Sequence, residues 1–487
     1  MTWKEVDALA EQARMALFVA DPPDFSAGLP LLRRAAMEGS SWAICSLGWC
    51  FETGHGVEAD PVQAVWLYRQ AAERGYAPAQ CNLAVLMHAG SGCAQDDEEA
   101  VRWLKEAARQ GYRRALYLLG RFYQFGFGLP QSDKLAYQYY ANAAFGGWAD
   151  AQFSLGVCLE RGRGVEKQPE AAFRQYQLAA EQGHIGGVFN LGWCYEMGFG
   201  TPKNPEKAVE CYRVAAEAGD ADGQCNLAWC YDSGTGIARD PQQAVAWYQK
   251  AAAQGHPRAC YNLAWCCRQG DGIEKNPEET FRLFGKAAEA GYRSAMYELG
   301  CCRLNGEGCE KDAKAAMRWF CKAGQLGHAR AALRAGAGYA SGKGVRRNYA
   351  KAEEYVRLAL NRTDPKEPLY TEALDLLNIL LKAREQPEDP QPPEDAPGES
   401  APEEDAPQAP PPPKKPGVRR AAGAPAEKKP GAKKPAKAAK EPKPAEKKPA
   451  KAAKEPKPAE KKPGAQKTGR TPDKKQTAGT KPAKKKK

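Results

Sequence analysis

The sequence predicts an all-α protein: an α/α solenoid (superhelix) of about nine to ten 36-residue helix-turn-helix repeats, followed by a disordered C-terminal tail. Three observations predict it. Glycines recur 36 residues apart without a slip from Gly39 to Gly327, and Gly-x-Gly pairs recur at the same interval from Gly54/Gly56 to Gly342/Gly344. Each period holds two stretches with apolar residues at helical spacing. The composition then breaks near residue 386: beyond it there is no Phe, Trp, Tyr, Leu, Ile or Met, and Val418 is the sole large aliphatic. Such a segment cannot bury enough apolar surface to offset its ordering entropy.

In chain order, residues 1–23 read as an N-terminal capping helix, 24–362 as the repeats, and 363–385 as a C-terminal capping helix rich in leucine (Leu374, Leu377, Leu380, Leu381). Residues 386–413 form an acidic, Pro-rich linker and 414–487 a basic Lys/Ala/Pro tail. Within one repeat, Val188, Leu191, Gly192 and Tyr195 lie on one helical stripe, and Gly198-Phe-Gly200 ends it as a left-handed cap and turn. Asn204-Pro205 starts the second helix, with Asn as N-cap and Pro at the first helical position. Asp60, Asp96, Ser132, Asp240, Asn276, Asp312 and Asn348 stand at the same place, where Gln168 is the poor cap of the set. Alanines at 64, 100, 136, 172, 208, 244, 316 and 352 share one register position, with Thr280 as the exception. Small residues there let two helices approach closely. Ala335 and Arg303 depart from the pattern near the end of the array.

The unit from Gln224 to Gly255 (QCNLAWCYDSGTGIARDPQQAVAWYQKAAAQG) resembles a Sel-one-like repeat, a relative of the tetratricopeptide repeat. The resemblance covers 24–362. It implies an α/α solenoid that acts as an adaptor or scaffold, with the first helix of each repeat lining the concave side. Secreted, cysteine-rich relatives pair cysteines at the positions of Ala72 and Gln80; this chain does not.

Nothing in the sequence points to catalysis, a cofactor or a metal. His184, His256 and His328 share one register position and are read as exposed and structural, because stacked repeats hold them about 10 Å apart. The Gly-x-Gly pairs follow helices, not strands, and lack the third glycine of a dinucleotide loop. Cys50, Cys158, Cys194, Cys230, Cys266 and Cys302 form a register ladder whose members are too far apart to bridge. There is no Cys-x-x-Cys pair, so reduced, buried thiols are expected. The cluster Cys301/Cys302/Cys309 is the one that stays open.

Two features point to binding. Opposite the core stripe, the first helices carry polar and aromatic side chains in register: Ser46 and Trp49, Asn82, Asn190 and Trp193, Asn226 and Trp229, Asn262 and Trp265. Asn pairs with a peptide backbone and Trp adds rigid apolar contact, so these residues form either a groove for an extended peptide of a protein partner or a seam between neighbouring helices. The second feature is charge. Residues 388–405 hold eight acids and no base, whereas 414–487 hold 27 bases and six acids. A tandem 14-mer occupies Lys434 to Lys447 and again Lys448 to Lys461. The tail resembles the Lys/Ala/Pro-rich tails of linker histones. Its lysines, among them Lys433, Lys434, Lys437, Lys440, Lys447, Lys448, Lys451, Lys454, Lys461, Lys462 and Lys484, Lys485, Lys486, Lys487, suit non-specific contact with DNA or RNA. The other reading is a solubilising spacer. No membrane span and no secretory signal are read, so the cytoplasm is the expected compartment, with nucleoid or chromatin association if the tail binds nucleic acid.

Overall fold

The computed structural model describes residues Met1–Glu385, and within them every regular element is helical. The chain opens with α1 (Trp3–Arg14), a π-helical turn at Met15–Val19, and α2 (Phe25–Met37). The single capping helix expected over 1–23 is interrupted by this π turn, and buried Leu17 of the turn packs against Gly28 of α2. Nine hairpins follow. Their first helices are α3 (Ser41–Thr53), α5 (Ala77–Ala89), α7 (Arg113–Phe125), α9 (Ala149–Arg161), α11 (Ile185–Met197), α13 (Ala221–Ser233), α15 (Pro257–Gln269), α17 (Arg293–Asn305) and α19 (Ala329–Ser341). Their second helices are α4 (Pro61–Glu73), α6 (Asp97–Arg109), α8 (Asp133–Phe145), α10 (Pro169–Glu181), α12 (Pro205–Glu217), α14 (Pro241–Ala253), α16 (Pro277–Glu289), α18 (Ala313–Gln325) and α20 (Tyr349–Leu360). The array ends on α21 (Pro368–Glu385). Each helix packs on the one before it and the one after it, which is the pattern of a solenoid.

The boundaries follow from local chemistry. Side-chain oxygens of Asp60, Asp96, Ser132, Asn204, Asp240, Asn276, Asp312 and Asn348 accept backbone N–H groups in the first turn of the second helices. Gln168 makes no such bond. The first glycine of each Gly-x-Gly is a left-handed C-cap, as at Gly198 (φ 72°). The second glycine is held by its neighbour. A Cβ on Gly200 would lie 2.2 Å from the carbonyl oxygen of Pro169, the first residue of the preceding repeat's second helix. Gly92, Gly164, Gly236, Gly272 and Gly308 meet the preceding helix start in the same way. These turns are therefore contacts between repeats as well as ends of helices.

The core runs along the stack. Ala64, Ala100, Ala172 and Ala244 are fully buried, and so is Thr280, whose hydroxyl donates to the Asn276 carbonyl at 2.8 Å. Beside them lies a column of large side chains at one register position: Tyr68, Leu104, Tyr140, Tyr176, Tyr212, Tyr248, Phe284 and Phe320. Their rings press on helix backbones where the facing residue is glycine. A Cβ on Gly156 would sit 2.6 Å from the Tyr176 ring, and one on Gly300 2.6 Å from that of Phe320. The acidic linker and the basic tail, with every tail lysine named above, lie outside the described residues.

Candidate interaction surface

The buried tyrosines set the polar order of the array. Each hydroxyl reaches an acceptor 16 residues earlier, on the first helix of its own hairpin: Tyr68 to Glu52, Tyr140 to Gln124 and Tyr176 to Glu160, all at 2.6 Å, Tyr212 to Glu196, and Tyr248 to Asp232 at 3.5 Å. Burial, and then the adjacent carboxylate, push the Tyr68 and Tyr176 hydroxyls far up, so they stay protonated donors. Where the column residue has no hydroxyl, the acceptor disappears. Leu104 faces His88, which bonds Asp97 at 2.7 Å instead. Phe284 faces Arg268, which bonds Glu298 at 2.9 Å and also pairs with Glu307. This pairing was legible in the sequence as a correlation at a separation of 16, and sequence reading missed it.

A second set of bonds joins the start of a first helix to the end of the second helix of the same hairpin. Gln110, Gln182 and Gln254 donate to Gln80, Gln152 and Gln224 at 3.0, 2.6 and 2.8 Å. The clamp thus recurs in every other repeat. Gln80 also donates to the Ala72 carbonyl of the preceding repeat at 3.1 Å. His184, His256 and His328 turn out to be N-caps. Their Nδ1 atoms accept the N–H groups of Gly187, Ala259 and Ala331 at 2.9, 3.1 and 3.2 Å. They are partly buried, not exposed as the sequence suggested, because each ring closes over the helix start against the preceding repeat. His184 Nε2 lies 3.5 Å from Asp150, His256 Nε2 bonds Asp222 at 3.0 Å, and His328 stacks on Tyr297. The bond from His184 holds the Asp150 carboxyl below its usual range.

The polar face of the first helices is only partly available. Asn82 Oδ1 accepts from Arg114 of the next repeat at 2.6 Å, and Asn226 is buried and bonded by Arg258 of the next repeat. Asn262 Nδ2 donates to the Tyr248 hydroxyl at 3.1 Å, and Asn190 interacts with the Tyr176 hydroxyl. Ser46 is half-buried. The indoles differ as well. Trp49 stacks on His55 and meets Phe18; Trp193 packs on Phe199; Trp265 meets Tyr261, Phe284 and the Arg268 guanidinium. Trp229 is the exposed one. The structure brings three of the expected residues together: Trp229, Asn262 and Trp265 line an open depression of about 280 Å³. Asp232 and Asp271 stand in the same wall, and burial and then the Asp271 charge raise the Asp232 carboxyl. Asp271 also pairs with Arg239.

All 16 cysteines are unpaired. Burial pushes the thiols of Cys158, Cys194, Cys230, Cys266 and Cys302 up to about 12 and that of Cys50 up to about 11. Protonated thiols of this kind are poor nucleophiles and poor metal ligands at neutral pH. Burial raises the Cys301 and Cys309 thiols as well. Among the described residues no group of three or more His, Cys, Asp and Glu side chains could hold a metal ion, and no helix is long and apolar enough to cross a membrane.

Stacked helical hairpins with a polar, aromatic-studded face define a repeat scaffold. The family description "Sel1 repeat" matches nine segments, 43–76, 77–112, 113–144, 149–184, 187–220, 221–256, 257–292, 293–328 and 329–364, and the chain belongs to that family. Its members are generally protein-interaction scaffolds and typically not enzymes. Among solved structures, the chain is similar to a protective antigen present in uropathogenic Escherichia coli strains that displays an SLR fold. That match has 30% identity and a TM-score of 0.51, and covers 78% of this chain and 88% of the antigen. It is also similar to a Sel1 repeat protein from Oxalobacter formigenes, at 31% identity and a TM-score of 0.47, over 50% of this chain and 96% of the other. No curated protein matches it.

Proposed function

We propose that this chain is a non-enzymatic adaptor that captures a peptide of a protein partner on the face of its first helices, while the basic tail holds nucleic acid without reading sequence. The observation that carries the peptide reading is the depression between Trp229 and Trp265. It offers two indoles and the carboxylates of Asp232 and Asp271 side by side. Indole faces beside carboxylates favour a cationic anchor, so the partner segment carries Arg or Lys at its centre. The Asn82 and Asn226 amides are already bonded within the protein, which narrows the surface to this central stretch.

A displayed library of random decapeptides tests the reading. Selection on the full chain should enrich segments with a central Arg or Lys. Trp229→Ala should abolish that enrichment while the array stays folded, because Trp229 is 37% exposed and lies outside the buried core. Enrichment that ignores Trp229 removes the groove. For the tail, duplex DNA binding is compared between the full chain and a chain ending at residue 385. Tail-dependent binding should fall with salt at a log–log slope of about −0.9 per phosphate neutralised. Equal, weak binding by both would leave the tail a solubilising spacer.

A further inference from the structure

Near the end of the array lies a strongly basic hollow of about 640 Å³. Lys314 and Arg318 stand one turn apart on α18. Arg346 and Arg347 come from the loop after α19, and Lys351 from the first turn of α20. All five are exposed, Tyr339 forms the floor with Lys351 over its ring at 5.7 Å, and no carboxylate lines the hollow. Glu353 on α20 is itself bonded by Arg357 at 2.8 Å. Like charges gathered this closely repel one another, and a polyanion docked there relieves the repulsion.

The chain supplies such an anion close by. Helices α20 and α21 pack together through a short connection, so their directions are opposed. The first turns of α21 share a cavity with Arg330, Arg334 and Ala337 of α19, so α21 runs alongside α19 toward the loop that carries Arg346 and Arg347. At 1.5 Å per residue α21 is about 27 Å long and outreaches α20 by about 9 Å. The described chain therefore ends at the end of the last hairpin that carries the Arg346 and Arg347 loop, one helix across from the hollow. The block 388–405, with eight acids and no base, begins three residues later and spans up to about 60 Å when extended.

We propose that the acidic segment 388–405 of this chain docks into the Lys314, Arg318, Arg346, Arg347 and Lys351 hollow. Docking takes up the linker's negative charge on the repeats, so the linker cannot also neutralise the basic tail. Attachment in cis makes the encounter intramolecular, with an effective concentration on the order of millimolar.

Zero-length carbodiimide coupling on the dilute full-length chain tests this. Residues 385–414 form a single tryptic peptide, which makes the linker easy to identify. The expected result is this peptide joined to Lys314 or Lys351 within single chains, at a yield independent of protein concentration. The link should disappear in R346E/R347E, whose side chains are exposed. It should also disappear at 1 M salt, where screening acts within about 3 Å. Coupling confined to Lys382 or to tail lysines, or found solely between two chains, overturns the proposal. So does an uncoupled linker, and if R346E/R347E then weakens duplex DNA binding, the hollow belongs to nucleic acid.

Discussion

At the scale of single residues, the array matches polar partners inside each hairpin. Tyr176 is fully buried and donates to Glu160, while Phe284 and Phe320 fill the same position with no hydroxyl to place. Tyr176→Phe should therefore cost about 1.5–3 kcal/mol by leaving Glu160 without its donor. Adding Glu160→Leu should recover part of that loss, and a double-mutant cycle in chemical denaturation measures the coupling. Gln168 marks the one second helix of the nine with an N-cap side chain that makes no bond, so Gln168→Asp should stabilise the protein by about 1 kcal/mol in the same assay. His328 carries a pH dependence. Burial, and then Arg293 and Arg330, lower its proton affinity in the folded protein below the ordinary histidine value of about 6.5. The neutral ring caps α19 through Nδ1, so its contribution is fully present above that value and is lost as pH falls through the lower folded value. His328→Asn keeps a capping acceptor that does not titrate. The variant should lose less stability than the parent between pH 7 and pH 5, as read by melting curves.

At the scale of elements, the period, the helix caps and the small-residue positions were legible, because each is dictated by neighbours within one repeat. Asn204-Pro205 announces a helix start wherever it occurs. What crosses from one repeat to the next was not legible. The bond from Arg114 to Asn82, that from Gln80 to the Ala72 carbonyl and the capping histidines depend on how far one hairpin is turned against the next, which no local pattern encodes. The indoles illustrate the limit. Trp193, Trp229 and Trp265 are equivalent in sequence, yet Trp265 is packed by Phe284 and Arg268 while Trp229 faces outward. Glycines divide in the same way. Gly285 sits inside α16 with open space around a would-be Cβ, so Gly285→Ala should stabilise by about 0.5–1 kcal/mol. Gly200→Ala combines a left-handed φ with a clash on Pro169 and should destabilise by at least about 2 kcal/mol.

At the scale of the whole molecule, the described helices touch little beyond their neighbours in sequence. Stability in such a stack is a sum over adjacent units, so damage stays local. Tyr176→Ala should strip hydrogen-exchange protection from the hairpins around α10 while the first and last hairpins keep theirs. Uniform loss along the array would contradict that picture. The second glycine of each turn adds a constraint on length. Because the turn of one repeat rests against the helix start of the repeat before it, every hairpin is the gauge by which the next is measured. A single inserted residue would leave one joint gaping and its neighbour jammed, whereas a whole added repeat meets the same joint at both ends. The array can grow or shrink like a zip, tooth by tooth, and the unbroken spacing from Gly39 to Gly327 is the record of that rule.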